Sequence, residues 1–224
     1  MSLVVVGGNS HGIGKTSVMT GIIQALPHHN WTAIKLTQFG HQGHPAHDEE
    51  PACADGEQPF SIQEELDRSG RTDTSRFLMA GARRALWVRV PWGRLEAAVP
   101  QLRSILGPIQ EGSAANVTAH VIIESNSIVN YFQPGVYLSV LDPSTTDFKT
   151  SARELIGRVD AFLLLCETLG EELDASPWEG IPIETIRAKP VFPIRRDCYV
   201  TPEVARFVES RLAEANVAGA RVRP

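Results

Sequence analysis

The run Leu3-Val4-Val5-Val6 passes without interruption into Gly7-Gly8-Asn9-Ser10-His11-Gly12-Ile13-Gly14-Lys15-Thr16-Ser17, and an amphipathic segment follows at once. No other feature narrows the fold so far. A strand, a glycine-rich turn and a helix in that order aim backbone N–H groups and the positive end of a helix dipole at one anion. The residue types suit polyphosphate: Lys15 would reach the β- and γ-phosphates as a point charge, and the Thr16 hydroxyl would hold a magnesium ion bridging them. Gly8, Asn9, Ser10, His11, Gly12, Ile13, Gly14, Lys15, Thr16 and Ser17 are therefore the expected nucleotide cradle. In the strict spacing a glycine stands five positions before Gly14; here Asn9 holds that place and Gly8 lies one residue further back.

A chain of 224 residues is long enough for a sizeable core, burying on the order of 70% of its unfolded surface, and fits one domain, 1–224. The net charge is −5 and the basic residues are scattered, so the footprint of a nucleic-acid-binding protein is missing and no DNA or RNA partner is expected. No stretch is apolar for the roughly 20 residues that cross a bilayer, and no basic-then-apolar leader opens the chain, which reads as cytoplasmic and without a membrane partner. Cys53, Cys166 and Cys198 are odd in number and far apart, as expected of reduced thiols. Lysine occurs only at Lys15, Lys35, Lys149 and Lys189.

Helical spacing at Val18, Ile22, Ile23 and Leu26 continues the first helix, which Pro27 and two histidines end. A strand follows from Trp31 to Leu36. Residues 37–60 then lack any apolar period and are rich in Gly, Pro, His and acids, the composition of a mobile lid in a loop too long to be a plain connection. The spacing predicts a polar helix over Ser61 to Arg68 and a second over Asp73 to Ala80, capped by Thr72 or Asp73 and closed by Gly81. Strands are expected at Ala85–Val90, Val121–Ile123, Val136–Leu141, Ala161–Cys166 and near Val191–Ile194. Helices are expected over Gly93–Leu106 with a break or kink at Pro100, over Ser151–Val159, and after the cap Thr201. Strands alternating with helices and lacking a polar face predict an α/β fold, a mainly parallel sheet with helices on both faces.

In such sheets ligands gather beyond the carboxyl ends of the strands. The glycine-rich loop is there, and so are Lys35 with Thr37 and Gln38, and Glu124 with Ser125 and Asn126. An acid at the end of a buried strand is costly unless a cation or hydrogen bonds compensate; magnesium shared with Thr16 would do so, and so would a neighbouring helix to cap. His41, His44, His47, Asp48, Glu49, Glu50 and Cys53 combine donors that suit a transition metal, but in a spacing that equally suits a solvated lid. Arg195 and Arg196 could touch a nucleotide or form a surface pair.

The longer loop, Lys35, the stretch Asp73-Thr74-Ser75-Arg76-Phe77-Leu78-Met79-Ala80-Gly81-Ala82 and Glu124 together resemble molybdopterin-guanine dinucleotide biosynthesis protein B. That family is a branch of the P-loop NTPases, three-layer and Rossmann-like in architecture, related to dethiobiotin synthetase and the MinD-like ATPases. The resemblance runs from the N-terminus to Glu124. It implies that Asp73 and Glu124 complete a magnesium site with Thr16, unless Asp73 is a plain helix cap, and that Lys15, Asp73 and Lys35 are the catalytic residues. Ser10 stands where a MinD-type loop would carry a second lysine, which points away from a dimer-activated switch.

The function so implied is binding of ATP or GTP with magnesium and slow hydrolysis, as an accessory in molybdenum-cofactor-type biosynthesis, with a small-molecule or cofactor substrate and a homodimer as further expectations. Two alternatives stand beside it. One is a dethiobiotin-synthetase-like enzyme in which ATP phosphorylates a small carboxylate or carbamate held by Lys35 and Thr37. The other is a nucleotide-dependent interaction module that does not hydrolyse. The guanine signature Asn-Lys-x-Asp is missing, so the choice between ATP and GTP stays open.

Overall fold

The structure is a computed structural model that describes residues 2–40, 59–107, 120–166 and 176–221, with the backbone alone at 216–221. Its centre is an eight-stranded sheet in the order β3-β4-β2-β5-β1-β6-β7-β8. The strands are β1 (Leu3–Gly8), β2 (Thr32–Phe39), β3 (Ser61–Glu64), β4 (Arg84–Pro91), β5 (Val121–Glu124), β6 (Val136–Leu141), β7 (Ala161–Leu165) and β8 (Val191–Ile194). Every neighbouring pair is parallel except β3 with β4. Helices α1 (Lys15–Ala25), α2 (Asp73–Met79), α3 (Leu95–Leu106), α4 (Thr150–Leu155), α5 (Ile183–Arg187) and α6 (Pro202–Arg221) complete the order.

The period of two along the central strands divides the core into two layers. Val4 and Val6, Ala33, Ile122, Val136, Leu138 and Val140 face α1, α2 and α6. Leu3 and Val5, Ile34 and Leu36, Val121 and Ile123, Tyr137 and Leu141 face α3, α4 and α5. Helices therefore cover both faces, as the expected α/β architecture requires. The same alternation puts Lys35, two residues beyond Ala33, and Glu124, two beyond Ile122, on the α1–α2 side. Lys35 and Glu124 are direct register partners across the β2–β5 pair.

Several elements depart from expectation. Ser61–Glu64, expected as helix, is instead the antiparallel edge strand, paired in register with Leu86–Arg89. Its four residues are too few to carry a period, and the free edge of β4 supplies their hydrogen bonds, so tertiary pairing overrides the polar composition. The bidentate bonds from Arg84 to Glu64, 2.9 Å each, and Ile62 against the core hold it there. Strand β2 runs three residues past Leu36 because β4 continues beside it, Phe39 opposite Pro91. Helix α3 passes through Pro100 unbroken. Helix α4 ends at Leu155, and a 3-10 turn, Ile156–Arg158, replaces the rest of the expected helix. Most of the expected lid at 37–60, with His41, His44, His47, Asp48, Glu49, Glu50 and Cys53, lies outside the described residues. Among the described residues no helix is long and apolar enough to cross a membrane.

Candidate functional site

The loop leaves the sheet between its two central neighbours, β5 and β6, which both pair with β1. Close packing dictates glycine at its entry: a Cβ on Gly7 would stand 2.1 Å from Asn126 Oδ1. Asn126, on the turn after β5, donates to the Gly8 carbonyl at 3.1 Å and accepts from the Gly8 N–H at 2.9 Å. Tyr137, on β6, donates its hydroxyl to the same Asn126 oxygen at 3.2 Å. Burial holds the Tyr137 hydroxyl well above the ordinary phenol range, so it stays a donor. The loop exit is also fixed. Gly14 has φ 92°, a left-handed conformation, and a Cβ there would meet the Tyr199 ring at 2.1 Å.

Asn9, which breaks the strict glycine spacing, is fully buried and uses all four of its polar groups. Its N–H donates to the Val140 carbonyl at 3.1 Å and its carbonyl accepts from the Lys149 N–H at 2.8 Å. Its side chain accepts from the Asp142 N–H and donates to the Asp147 carbonyl, both at 3.0 Å. Ser10 adds a bond to the Asp147 carboxylate at 2.7 Å. The extra residue thus ties the loop to the connection between β6 and α4. A glycine could make only the two backbone bonds.

Beyond the loop, Thr16 in the first turn of α1 donates to Glu124 Oε2 at 2.9 Å. A hydroxyl and a carboxylate oxygen at this spacing are hard donors of the kind magnesium takes, and they could sit on one ion with phosphate and water supplying the rest. Lys15 folds over the loop and donates to the Ser10 carbonyl at 2.7 Å. Burial lowers its ammonium below the ordinary lysine range and nearby Lys35 lowers it further, while Glu124 and Asp73 pull the other way. Lys35 pairs with Asp73. Arg76, one turn along α2, reaches Asp73 at 3.4 Å and the Ser17 hydroxyl at 3.1 Å.

Of the residues expected to act, Lys15, Thr16 and Glu124 are therefore brought together directly, and Asp73 and Lys35 flank them as an ion pair. Asp73 opens α2 but does not cap it: Thr72 does, in a reciprocal capping box with Ser75, each bond 3.0 Å. His11 is exposed at the outer rim of the loop. Arg195 pairs with Asp197, and Arg196 reaches the buried Asp142 at 2.8 Å. Sequence reasoning missed Lys149. Burial and the neighbouring Lys15 lower its pKa to about 8, partly opposed by Glu124 and Asp147, and it is a third lysine close to the loop. Its only signal was the scarcity of lysine in the chain.

Beside this cluster, past Asn126 and Ser151, opens a cavity of about 280 Å3 lined in part by Gln38, Trp92, Ser127, Tyr131, Thr150 and Glu154. Among the described residues its wall carries one acid and no basic side chain.

A mainly parallel sheet whose central strand runs through a glycine-rich turn into α1, with Lys15 and Thr16 opening that helix, has the α/β architecture of the P-loop NTPase fold. Among solved structures the chain is similar to HypB from Helicobacter pylori, crystallised with nickel, at 12% identity and a TM-score of 0.51, covering 96% of this chain and 87% of that one. It also matches the apo form of LpxK from Aquifex aeolicus in complex with ATP, at 16% identity and a TM-score of 0.43, over 86% of this chain and 53% of that one. At such identity the HypB likeness speaks for the fold alone. No family model matches the sequence, and no curated protein does.

Proposed function

We propose that this protein binds a nucleoside triphosphate with magnesium on the Gly8–Ser17 loop and hydrolyses it slowly. The observation that carries this reading is the bond from Thr16 Oγ1 to Glu124 Oε2, 2.9 Å, with Lys15 beside it. In that reading the backbone N–H groups of the loop, Lys15 and Lys149 neutralise the phosphates. Thr16 and Glu124 would hold the magnesium, which would supply positive charge against the phosphates. Asp73, paired with Lys35 and reached by Arg76, would orient the attacking water. Catalysis here is positioning and charge neutralisation rather than covalent chemistry.

Hydrolysis is favoured over transfer to a small carboxylate for two reasons. Lys35, the expected anchor for such a substrate, is already paired with Asp73. Among the described residues, the adjoining cavity offers an acidic substrate no cation and one carboxylate, Glu154. The accessory role in molybdenum-cofactor-type biosynthesis rests on the sequence resemblance through Glu124. Equilibrium binding of labelled ATP and GTP with magnesium tests the core of the proposal. Lys15→Ala should weaken binding on the order of 100-fold, as loss of a charge-assisted phosphate contact does. Failure of the native protein to bind either nucleotide overturns the proposal.

A further inference from the structure

The opposite end of the sheet carries a second cluster that the nucleotide reading leaves unused. Helix α1 ends in the 3-10 turn Pro27–His29, and α6 passes beside it. We propose that His28, His29 and Glu209 form a site for a divalent transition metal, with zinc the occupant that its donors suit best.

One ligand atom from each of the three side chains lies within 4.8 Å of the other two. His28 Nε2 and Glu209 Oε1 are 3.2 Å apart. Ligands about 2.0–2.2 Å from a tetrahedral zinc stand about 3.3–3.6 Å from one another, so this pair already has the spacing of one tetrahedron edge. Neighbouring residues in a chain do not ordinarily present their side chains together, yet here the His28 and His29 rings lie 4.2 Å apart. Two imidazoles and one carboxylate suit zinc, whereas magnesium and calcium seek oxygen alone.

The second observation is a pair of orphaned nitrogens. His29 Nε2 and His120 Nδ1 are buried, and among the described residues neither has a hydrogen-bond partner. A buried polar atom left so costs about 1–3 kcal/mol. Among the described residues no hydrogen bond to Nε2 fixes the tautomer of His29, so that nitrogen can carry a lone pair for a metal. The ring is nevertheless held in place. His120, only 4% exposed, packs edge-on against it at 4.4 Å, and Trp31 lies at 5.3 Å. The His120 backbone N–H also donates to the His29 backbone carbonyl at 3.1 Å. His120 thus holds the His29 ring by packing against it and by tying down its backbone. Val204, Val208 and Leu212 anchor α6 to the core and so fix Glu209. His28 and Glu209 are more than half and half exposed, respectively, which leaves an entry path and a coordination position for water. A bound ion would clamp α6 to the turn after α1.

The test uses the full chain, stripped with chelator and titrated with zinc by calorimetry at neutral pH, with cobalt as a spectroscopic substitute. The expected result is one zinc at this site, a tetrahedral nitrogen-and-oxygen cobalt spectrum without thiolate charge transfer, and a higher melting temperature with zinc. Glu209→Gln and His29→Gln should each weaken that binding on the order of 100-fold. Glu209→Gln lies on an exposed helix face, so in chelator it should melt like the native protein while losing the zinc-dependent rise. A triple change of His41, His44 and His47 to Gln should leave the site intact. Zinc binding that survives both Glu209→Gln and His29→Gln, or that disappears only in the triple variant, overturns the proposal. So does a native chain that binds no zinc.

Discussion

Lys149 is half-buried beside a second lysine, and that position makes its protonation a reporter of the phosphate site. Its pKa in the folded chain is about 8, against an ordinary 10.5. Between those values the unfolded chain holds more protons than the folded one, so stability should rise as pH climbs from about 8 towards 10.5, as far as this group is concerned. A triphosphate bound beside it would favour the ammonium and draw the pKa back up. Nucleotide binding near pH 8 should therefore take up protons, and affinity should fall as pH rises through that range. Calorimetry in two buffers of different ionisation enthalpy reads the uptake directly, and Lys149→Gln should reduce it while weakening binding by about tenfold. Unchanged uptake in that variant would remove Lys149 from the phosphate site. Beyond the scarcity of lysine, nothing in the sequence pointed to this residue, because most of its partners come from the loop after β1, from α1 and from β5. Asn9 was legible only as a departure from glycine spacing. Its four bonds run to 140, 142, 147 and 149, a segment that spacing within the loop cannot reveal.

At the scale of elements, α2 is what presents Asp73 and Arg76 to the loop, and with seven residues it is too short to stand on propensity alone. Its N-terminus is held by the Thr72–Ser75 box and by Glu65, which accepts from the Thr72 and Thr74 hydroxyls at 2.9 Å each. Thr72→Ala should cost about 1 kcal/mol of stability and also lower turnover, because the Lys35–Asp73 pair loses its footing. Denaturant melts and a hydrolysis assay on one preparation separate the two effects, and turnover equal to native would show that α2 is not coupled to the site. Gly14→Ala is the opposite kind of change. The left-handed backbone and the Tyr199 ring at 2.1 Å leave no room for the methyl, so the turn into α1 must shift. Nucleotide affinity should collapse while the rest of the fold persists, as binding and far-UV circular dichroism together would show. The Thr72 cap, Gly81 with φ 106° after α2 and the long apolar strands were all readable from local chemistry. The edge strand β3 was not, because its identity comes from β4 and not from its own four residues.

At the scale of the whole molecule, the sheet brings together groups far apart in the chain: Thr16 from α1, Glu124 from β5 and Lys149 from just before α4. Residue alternation made one part of this foreseeable, since Lys35 and Glu124 had to share a face once β2 and β5 were neighbours. The strand order itself was not foreseeable, for β5 enters between β2 and β1 only through a crossover that no local pattern encodes. A site assembled from so many elements should stabilise the entire fold when filled. Ligand at about 100 times its dissociation constant adds about 2.7 kcal/mol, which for a chain of this size raises the melting temperature by about 5–11 °C. If Thr16 and Glu124 hold the metal, part of that rise must need magnesium. Glu124→Gln keeps an acceptor for the Thr16 hydroxyl and so should fold, with a melting temperature close to native in the absence of ligands. Nucleotide alone should stabilise native and variant alike, whereas the added increment from magnesium should appear only in the native protein. Thermal scans of the two proteins with nucleotide, with and without magnesium, decide the matter, and an equal magnesium increment in both would take Glu124 out of the metal site.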